Sequence, residues 1–190
     1  MVLTDVAEFS ASHRTDRDRL AICQAQYDIL RQAFADAGIP WDILHVEDRG
    51  DGVLLIVPPD VRTELLVHPF IDSLVAGLSR HNAIAEPAAA FQLRVAIDVG
   101  PVRSHPRGVA GEVIINGTRL VDASILKEHL RATAAALAFI TSRFVYDNVV
   151  RQRPGDVNPD DYKMVEFWSK GSLVTGWMYL GAGAGGSRIG

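Results

Sequence analysis

Along the chain, runs in which apolar and polar residues alternate are separated by longer stretches where apolar residues recur at three- and four-residue steps. The first rhythm belongs to strands and the second to helices. Met1 to Thr4 form a short opening strand, short enough to leave open that the natural chain begins upstream. From Asp16 to Ala37, Leu20, Cys23, Tyr27, Leu30 and Phe34 make one apolar stripe, and Gly38 and Pro40 stop the helix. Trp41 to Val46 alternates as a strand. Gly50-Asp51-Gly52 turns it into a second, wholly apolar strand, Val53 to Val57. Asp60, after Pro58-Pro59, is placed to cap a helix carrying Leu66, Phe70, Leu74 and Leu78, which Pro69 kinks or divides.

Phe91 to Val99 is a further strand, with Leu93, Val95 and Ile97 on one face. Gly100-Pro101 turns it toward a short strand near Val102. Residues 104–112 form a glycine-containing loop, and Thr118 to Ala134 reads as a helix. A short buried strand, Leu137 to Ile140, and a short helix, Ser142 to Val150, precede a polar loop. Met164 to Trp168 and Leu173 to Leu180 close the chain as a hairpin, followed by the flexible glycine-rich tail 181–190. The order βαββαββαβαββ predicts one α+β domain over residues 1–180. Its core is a ferredoxin-like βαββαβ unit, extended by a C-terminal helix and hairpin. No internal repeat is present.

The 190 residues suit a single domain, and 48% hydrophobic with 22% charged residues is ordinary globular composition. A net charge of −4 and a pI near 5.8 argue against non-specific nucleic-acid or membrane-surface binding. Cys23 stands alone, so an internal disulfide and a cysteine-based metal cluster are excluded, which fits a reducing compartment. It lies on the apolar stripe of the first helix and reads as core. The histidines have no ligand spacing. With no long apolar run and no signal sequence, the expectation is a cytoplasmic protein.

Two acids fall beside turns at strand ends. Asp5 ends the first strand and Asp51 occupies the Gly-Asp-Gly turn. A ferredoxin-like sheet puts the first strand beside the hairpin of the second and third, so these carboxylates can converge. Converged carboxylates suit hard divalent cations, whose remaining ligands come from water or phosphate oxygens. Two such cations on one triphosphate would clamp the attacking and leaving oxygens of an in-line displacement.

Four segments carry a resemblance to the class III nucleotidyl cyclases, the catalytic domains of adenylyl and guanylyl cyclases. "VLTDVAEFS" resembles their first-strand signature, and "RGDGVLLIV" their Gly-Asp hairpin. "LRVAIDVGPV" is similar to their arginine-containing strand ending in Gly-Pro-Val, and "GEVIINGTRLVDA" to the opening of their fourth helix. Order and gaps agree over roughly residues 1–180. The resemblance implies a nucleoside triphosphate as ligand, two Mg²⁺ or Mn²⁺ ions on Asp5 and Asp51, and a head-to-tail homodimer, or a heterodimer with a complementing partner. It also implies a phosphate cradle from the backbone of Val6, Ala7, Glu8, Phe9 and Ser10. Glu47 takes the base-reading place, where a carboxylate accepts from a guanine edge. Arg119 matches the arginine that steadies the transition-state phosphate.

Two departures accompany the match. The family's ribose-positioning asparagine falls on Ile115, with Asn116 displaced by one. The family's late lysine falls on Trp168, with Lys170 nearby. The metal half of the site is therefore complete in sequence, while the transition-state half is eroded. Two readings follow. One is a cyclase forming a 3′,5′-cyclic nucleotide and pyrophosphate. The other is an inactive cyclase-homology module, serving as a nucleotide sensor or an interaction unit in a signalling or defence system. Each site residue also has a plainer role: Asp5 as a strand-end acid, Asp51 as a turn former, Glu47 and Arg119 as surface residues. Glu47 and Asp48 alternate, so at most one of them faces the site.

Overall fold

The structure is a computed structural model, and it describes residues 1–133 and 135–182. Nine strands are described: β1 (Val2–Val6), β2 (His45–Asp48), β3 (Val53–Ile56), β4 (Leu93–Ile97), β5 (Arg103–His105), β6 (Gly108–Ala110), β7 (Ala135–Ser142), β8 (Lys163–Ser169) and β9 (Ser172–Ala182). Six helices join them: α1 (Asp16–Asp36), α2 (Glu64–Val67), α3 (Phe70–Ile84), α4 (Glu112–Val121), α5 (Ser124–Ala132) and α6 (Arg143–Asn148).

Seven strands form one sheet in the order β2-β3-β1-β4-β7-β9-β8, and β5 and β6 pair separately. The β2-β3-β1-β4 half is antiparallel throughout, which is the ferredoxin-like arrangement expected from the sequence. β7 adds parallel to β4, and the β8–β9 hairpin completes the sheet. Helices cover both faces. On one face, Ile22, Leu30 and Phe34 of α1 and Phe70, Leu74 and Leu78 of α3 pack on Val2, Val6, Leu55, Val95 and Phe139. On the other, Leu120 of α4 and Leu126 and Leu130 of α5 pack on Leu3, Ala96, Ala138, Ile140 and Met178. Strands buried on both faces read as nearly continuous apolar runs, as β7 does up to Ile140 and β4 does apart from Arg94.

Several element boundaries differ from the sequence reading, each for a physical reason. In α1 the buried residues are Ile22, Gln26, Leu30, Ala33 and Phe34, while Leu20 is 72% exposed and Cys23 is half-buried rather than core. The buried stripe runs through Gln26, whose side-chain amide donates to Thr4 at 3.0 Å, so a polar residue conceals the phase of the helix. Thr15 and Asp18 cap its start reciprocally. Trp41–Ile43 is a single 3₁₀ turn and the strand begins at His45. The helix after Pro59 divides at Pro69 into α2 and α3, and Asp60 caps neither. The stretch read as a 104–112 loop holds the small β5–β6 hairpin. The helix read as 118–134 is two, parted at Asp122–Ala123. β9 runs through Gly181 to Ala182, two residues into the stretch read as tail, and the rest of that tail lies outside the described residues.

Candidate functional site

Asp5 lies within β1 and faces Arg94 of β4 in direct antiparallel register. Opposed residues of such a pair project to the same face and their side chains meet. Here the Arg94 guanidinium Nη2 donates to Asp5 Oδ2. Arg94 also donates through Nη1 to the Val121 carbonyl at the end of α4, at 3.3 Å, while its Nε is enclosed without a partner. Burial pushes the Asp5 carboxyl up to about 6. Arg94 opposes that shift, and the charges of Asp51 and Asp122 add to it.

Asp51 is brought to β1 by the backbone. Its carbonyl accepts from Val6 N–H at 2.7 Å, and the neighbouring Gly52 leaves no room for a side chain, since a Cβ there would stand 2.0 Å from the Thr4 carbonyl oxygen. A glycine after the aspartate is thus required for the turn to close on the first strand. The turn holding Asp51 is exposed, so its carboxylate is open to solvent and ligand beside the more enclosed Asp5.

These two carboxylates suit a hard divalent cation. Both offer oxygen only, and the repulsion that Asp51 and Asp122 exert on Asp5 leaves net negative charge beyond what Arg94 neutralises. Among the described residues no group of three or more His, Cys, Asp or Glu side chains can hold a metal ion. Protein side chains would therefore fill only part of a coordination shell, with main-chain, water or phosphate oxygens filling the remainder.

After β1 the chain turns sharply, with Glu8 in the left-handed region at φ 54°. Val6 and Ala7 spend their N–H groups on Asp51 and Gln92. The next three carbonyls are turned back into the protein. Ala7 O accepts from Arg14 at 3.4 Å, Glu8 O from Ala11 N–H at 3.0 Å, and Phe9 O from Arg19 at 3.3 Å. A trans peptide directs the following N–H the opposite way, so the amides of Glu8, Phe9 and Ser10 face away from these partners. Of the five residues expected from sequence to form a cradle, Val6 and Ala7 thus have their amides committed to backbone carbonyls. Glu8 itself pairs with Arg131 at 3.2 Å.

Glu47 and Asp48 separate as alternation requires. Asp48 accepts from Tyr27 of α1, whereas Glu47 lies opposite Leu54, on the face that carries Asp5. Both Glu47 oxygens are engaged, by His45 Nε2 at 2.8 Å and Arg49 Nη2 at 2.7 Å. These contacts hold its carboxyl below the usual range, the His45 bond first. The β5–β6 hairpin comes close to it at Gly108, where an added Cβ would stand 2.7 Å from Glu47 Oε1.

Asn116 stands apart from this cluster. Asn116 donates to the buried carboxylate of Asp98 at 2.6 Å, just past the end of β4. Asp98 follows Arg94 by four strand residues, roughly 13 Å at the strand rise. Within one chain, therefore, Asn116 is held at the far end of β4 from Asp5. Arg119 is half-buried on α4, its Nε enclosed without a partner. Ile115 is 49% exposed and Trp168 is 76% exposed on β8. Sequence reasoning overlooked Arg94 as a site residue. Its signal was a single charge inside an apolar strand, which demands a partner, and Asp5 lay on the strand expected beside it.

The fold is similar to that of solved cyclase structures. Over 96% of this chain and 96% of the other, it resembles an adenylate/guanylate cyclase/hydrolase from Silicibacter pomeroyi, with a TM-score of 0.63 and 15% identity. The guanylyl cyclase Cya2 matches with a TM-score of 0.53 and 15% identity, over 97% of this chain and 92% of that one. A bacterial light-regulated adenylyl cyclase matches with a TM-score of 0.57 and 12% identity over 93% of this chain, which spans only 49% of that larger protein. No family model matches the chain, and no curated protein matches its sequence. The chain has a class III nucleotidyl cyclase-like fold. Among the described residues, no helix is long and apolar enough to cross a membrane.

Proposed function

We propose that this chain is a nucleotidyl cyclase-like domain that binds a nucleoside triphosphate with two divalent cations, Mg²⁺ or Mn²⁺, in a dimer. The observation that carries this reading is the clipping of the Gly50-Asp51-Gly52 turn onto β1, which sets a solvent-open carboxylate beside the half-enclosed Asp5. When bound, divalent cations neutralise charge on the triphosphate and on the oxygens that attack and leave. Asp5 and Asp51 hold them, and the amides of Glu8, Phe9 and Ser10 donate to phosphate oxygens. The nucleotide's 3′-hydroxyl gives its proton to water and attacks the α-phosphorus, the bond to pyrophosphate breaks, and a 3′,5′-cyclic nucleotide is left. Arg119 of a second copy steadies the transferring phosphate with its guanidinium fork. Glu47 favours guanine over adenine, once His45 and Arg49 share its oxygens with the base.

One observation favours a second reading, a non-catalytic nucleotide-sensing or interaction module. Asn116 is spent on Asp98 and position 168 carries tryptophan, so two donors for the developing charge are missing. A single such donor is worth about 10²–10³ in rate. A product assay with the four ribonucleoside triphosphates and Mn²⁺, on the native chain and on Asp51→Ala, separates the readings. Cyclic nucleotide formed by the native chain and lost in the variant supports the enzyme. No product from either chain, with triphosphate binding that still requires Mn²⁺, supports the sensor.

A further inference from the structure

We propose that Arg94 is the resident counter-cation of Asp5, and that it must leave Asp5 before that carboxylate can hold a divalent cation. The inference rests on the metal reading of Asp5 given above. Both side chains are largely enclosed, Arg94 at 7% and Asp5 at 15% side-chain exposure. An ionised carboxylate at that depth needs a compensating charge, and Arg94 is the cation in contact with it. A divalent cation arriving at Asp5 would meet the guanidinium at the same carboxylate. Like charges a few ångströms apart repel several times more strongly in a half-enclosed site than in water. Metal and guanidinium therefore compete for Asp5.

The surroundings also supply a place for Arg94 to go. Its Nη1 is tethered to the carbonyl of Val121, and the next residue is Asp122. The Asp122 carboxylate is near enough for its charge to act on Asp5. At present it is half-exposed and only loosely paired with Lys127, at 3.8 Å. A swing about the tethered end carries the guanidinium from Asp5 toward Asp122, so it keeps an acidic neighbour after release. The device explains how a fold with a half-buried acid at its centre keeps its shape without metal. It also makes cation affinity weaker than the bare carboxylate pair would give.

Mn²⁺ alone is the probe, followed by loss of the free-ion EPR signal, on the full chain, Arg94→Gln, Arg94→Lys and Asp51→Ala. Arg94→Gln is expected to bind Mn²⁺ about tenfold or more tightly than the native chain, the scale of one charge-assisted hydrogen bond, with Arg94→Lys between them. Equal or weaker binding by Arg94→Gln, alongside native binding that Asp51→Ala removes, overturns the lock and leaves the metal reading standing. Binding that Asp51→Ala leaves unchanged, or none in any chain, overturns both. Asp122→Asn should weaken Mn²⁺ binding more in the native background than in Arg94→Gln. Equal losses reject the hand-over to Asp122. Should Arg94→Gln fail to fold, a Mg²⁺ titration of the native chain by arginine side-chain NMR decides the same question. The Arg94 Nε–H resonance shifts with saturation if the pair opens, and a signal that stays fixed while Mg²⁺ binds rejects it.

Discussion

Thr4 precedes Asp5 and is 1% exposed. Its hydroxyl accepts from the Gln26 amide and from Val53 N–H, both at 3.0 Å, and lies 3.4 Å from the Val53 carbonyl. One side chain thus ties α1, β1 and the start of β3 together next to the candidate metal site. Thr4→Val keeps the shape but strands two buried donors. The expected loss is about 1–3 kcal/mol of unfolding free energy, with Thr4→Ser nearer to native, measured by urea denaturation. None of this was legible in the sequence, where Thr4 closed a strand and Gln26 lay outside the apolar stripe. A buried hydrogen bond between distant residues leaves no periodic trace. Arg94 was hidden differently. It was visible as a charge in an apolar strand, but its meaning depended on register, and register follows from the folded sheet. Asp51 was legible because an acid in a glycine turn leaves a local signal, and Asp5 because an acid closes a short apolar strand.

At the scale of elements, the β2–β3 hairpin and its turn do most to build the site. Gly52 fits because it has no Cβ, and the obstruction is the Thr4 backbone, which cannot rotate aside as a side chain can. Gly52→Ala is expected to force the turn away from β1, breaking the Val6 N–H to Asp51 carbonyl bond. The cost should exceed that of an exposed glycine-to-alanine change, on the order of 2 kcal/mol or more, and divalent-cation affinity should fall with it. Gly50, with open space around it, is the control, although its φ of 85° makes Gly50→Ala modestly unfavourable for its backbone alone. Thermal melts with and without Mn²⁺ distinguish the two, since only Gly52→Ala should lose metal-induced stabilisation. The helices were less readable than this hairpin. Pro69 divided one of them as its chemistry allows, and α4 began six residues earlier than its apolar pattern suggested, at Glu112 after Gly111.

Across the whole molecule, the β2-β3-β1-β4 order was readable because hairpins and crossover helices leave few ways to lay four strands side by side. The additions beyond β4 were readable as elements but not as a continuation of the same sheet. Parallel pairing of β4 with β7 depends on two intervening helices that read as one. The separation of Asn116 from Asp5 belongs to this scale too. In a single chain, Asn116 is held at Asp98, past the far end of β4 from Asp5, while the last residue of α4, Val121, reaches Arg94 beside Asp5. The central claim is that Asp5 and Asp51 make triphosphate binding depend on a divalent cation. Calorimetric titration of a non-hydrolysable guanosine triphosphate analogue, with Mn²⁺ and then with chelator, tests it most directly on the native chain and on Asp51→Ala. The expected result is binding in the native chain with Mn²⁺, and at least a tenfold loss both with chelator and in Asp51→Ala. Equal binding with and without Mn²⁺, unaffected by Asp51→Ala, would contradict it.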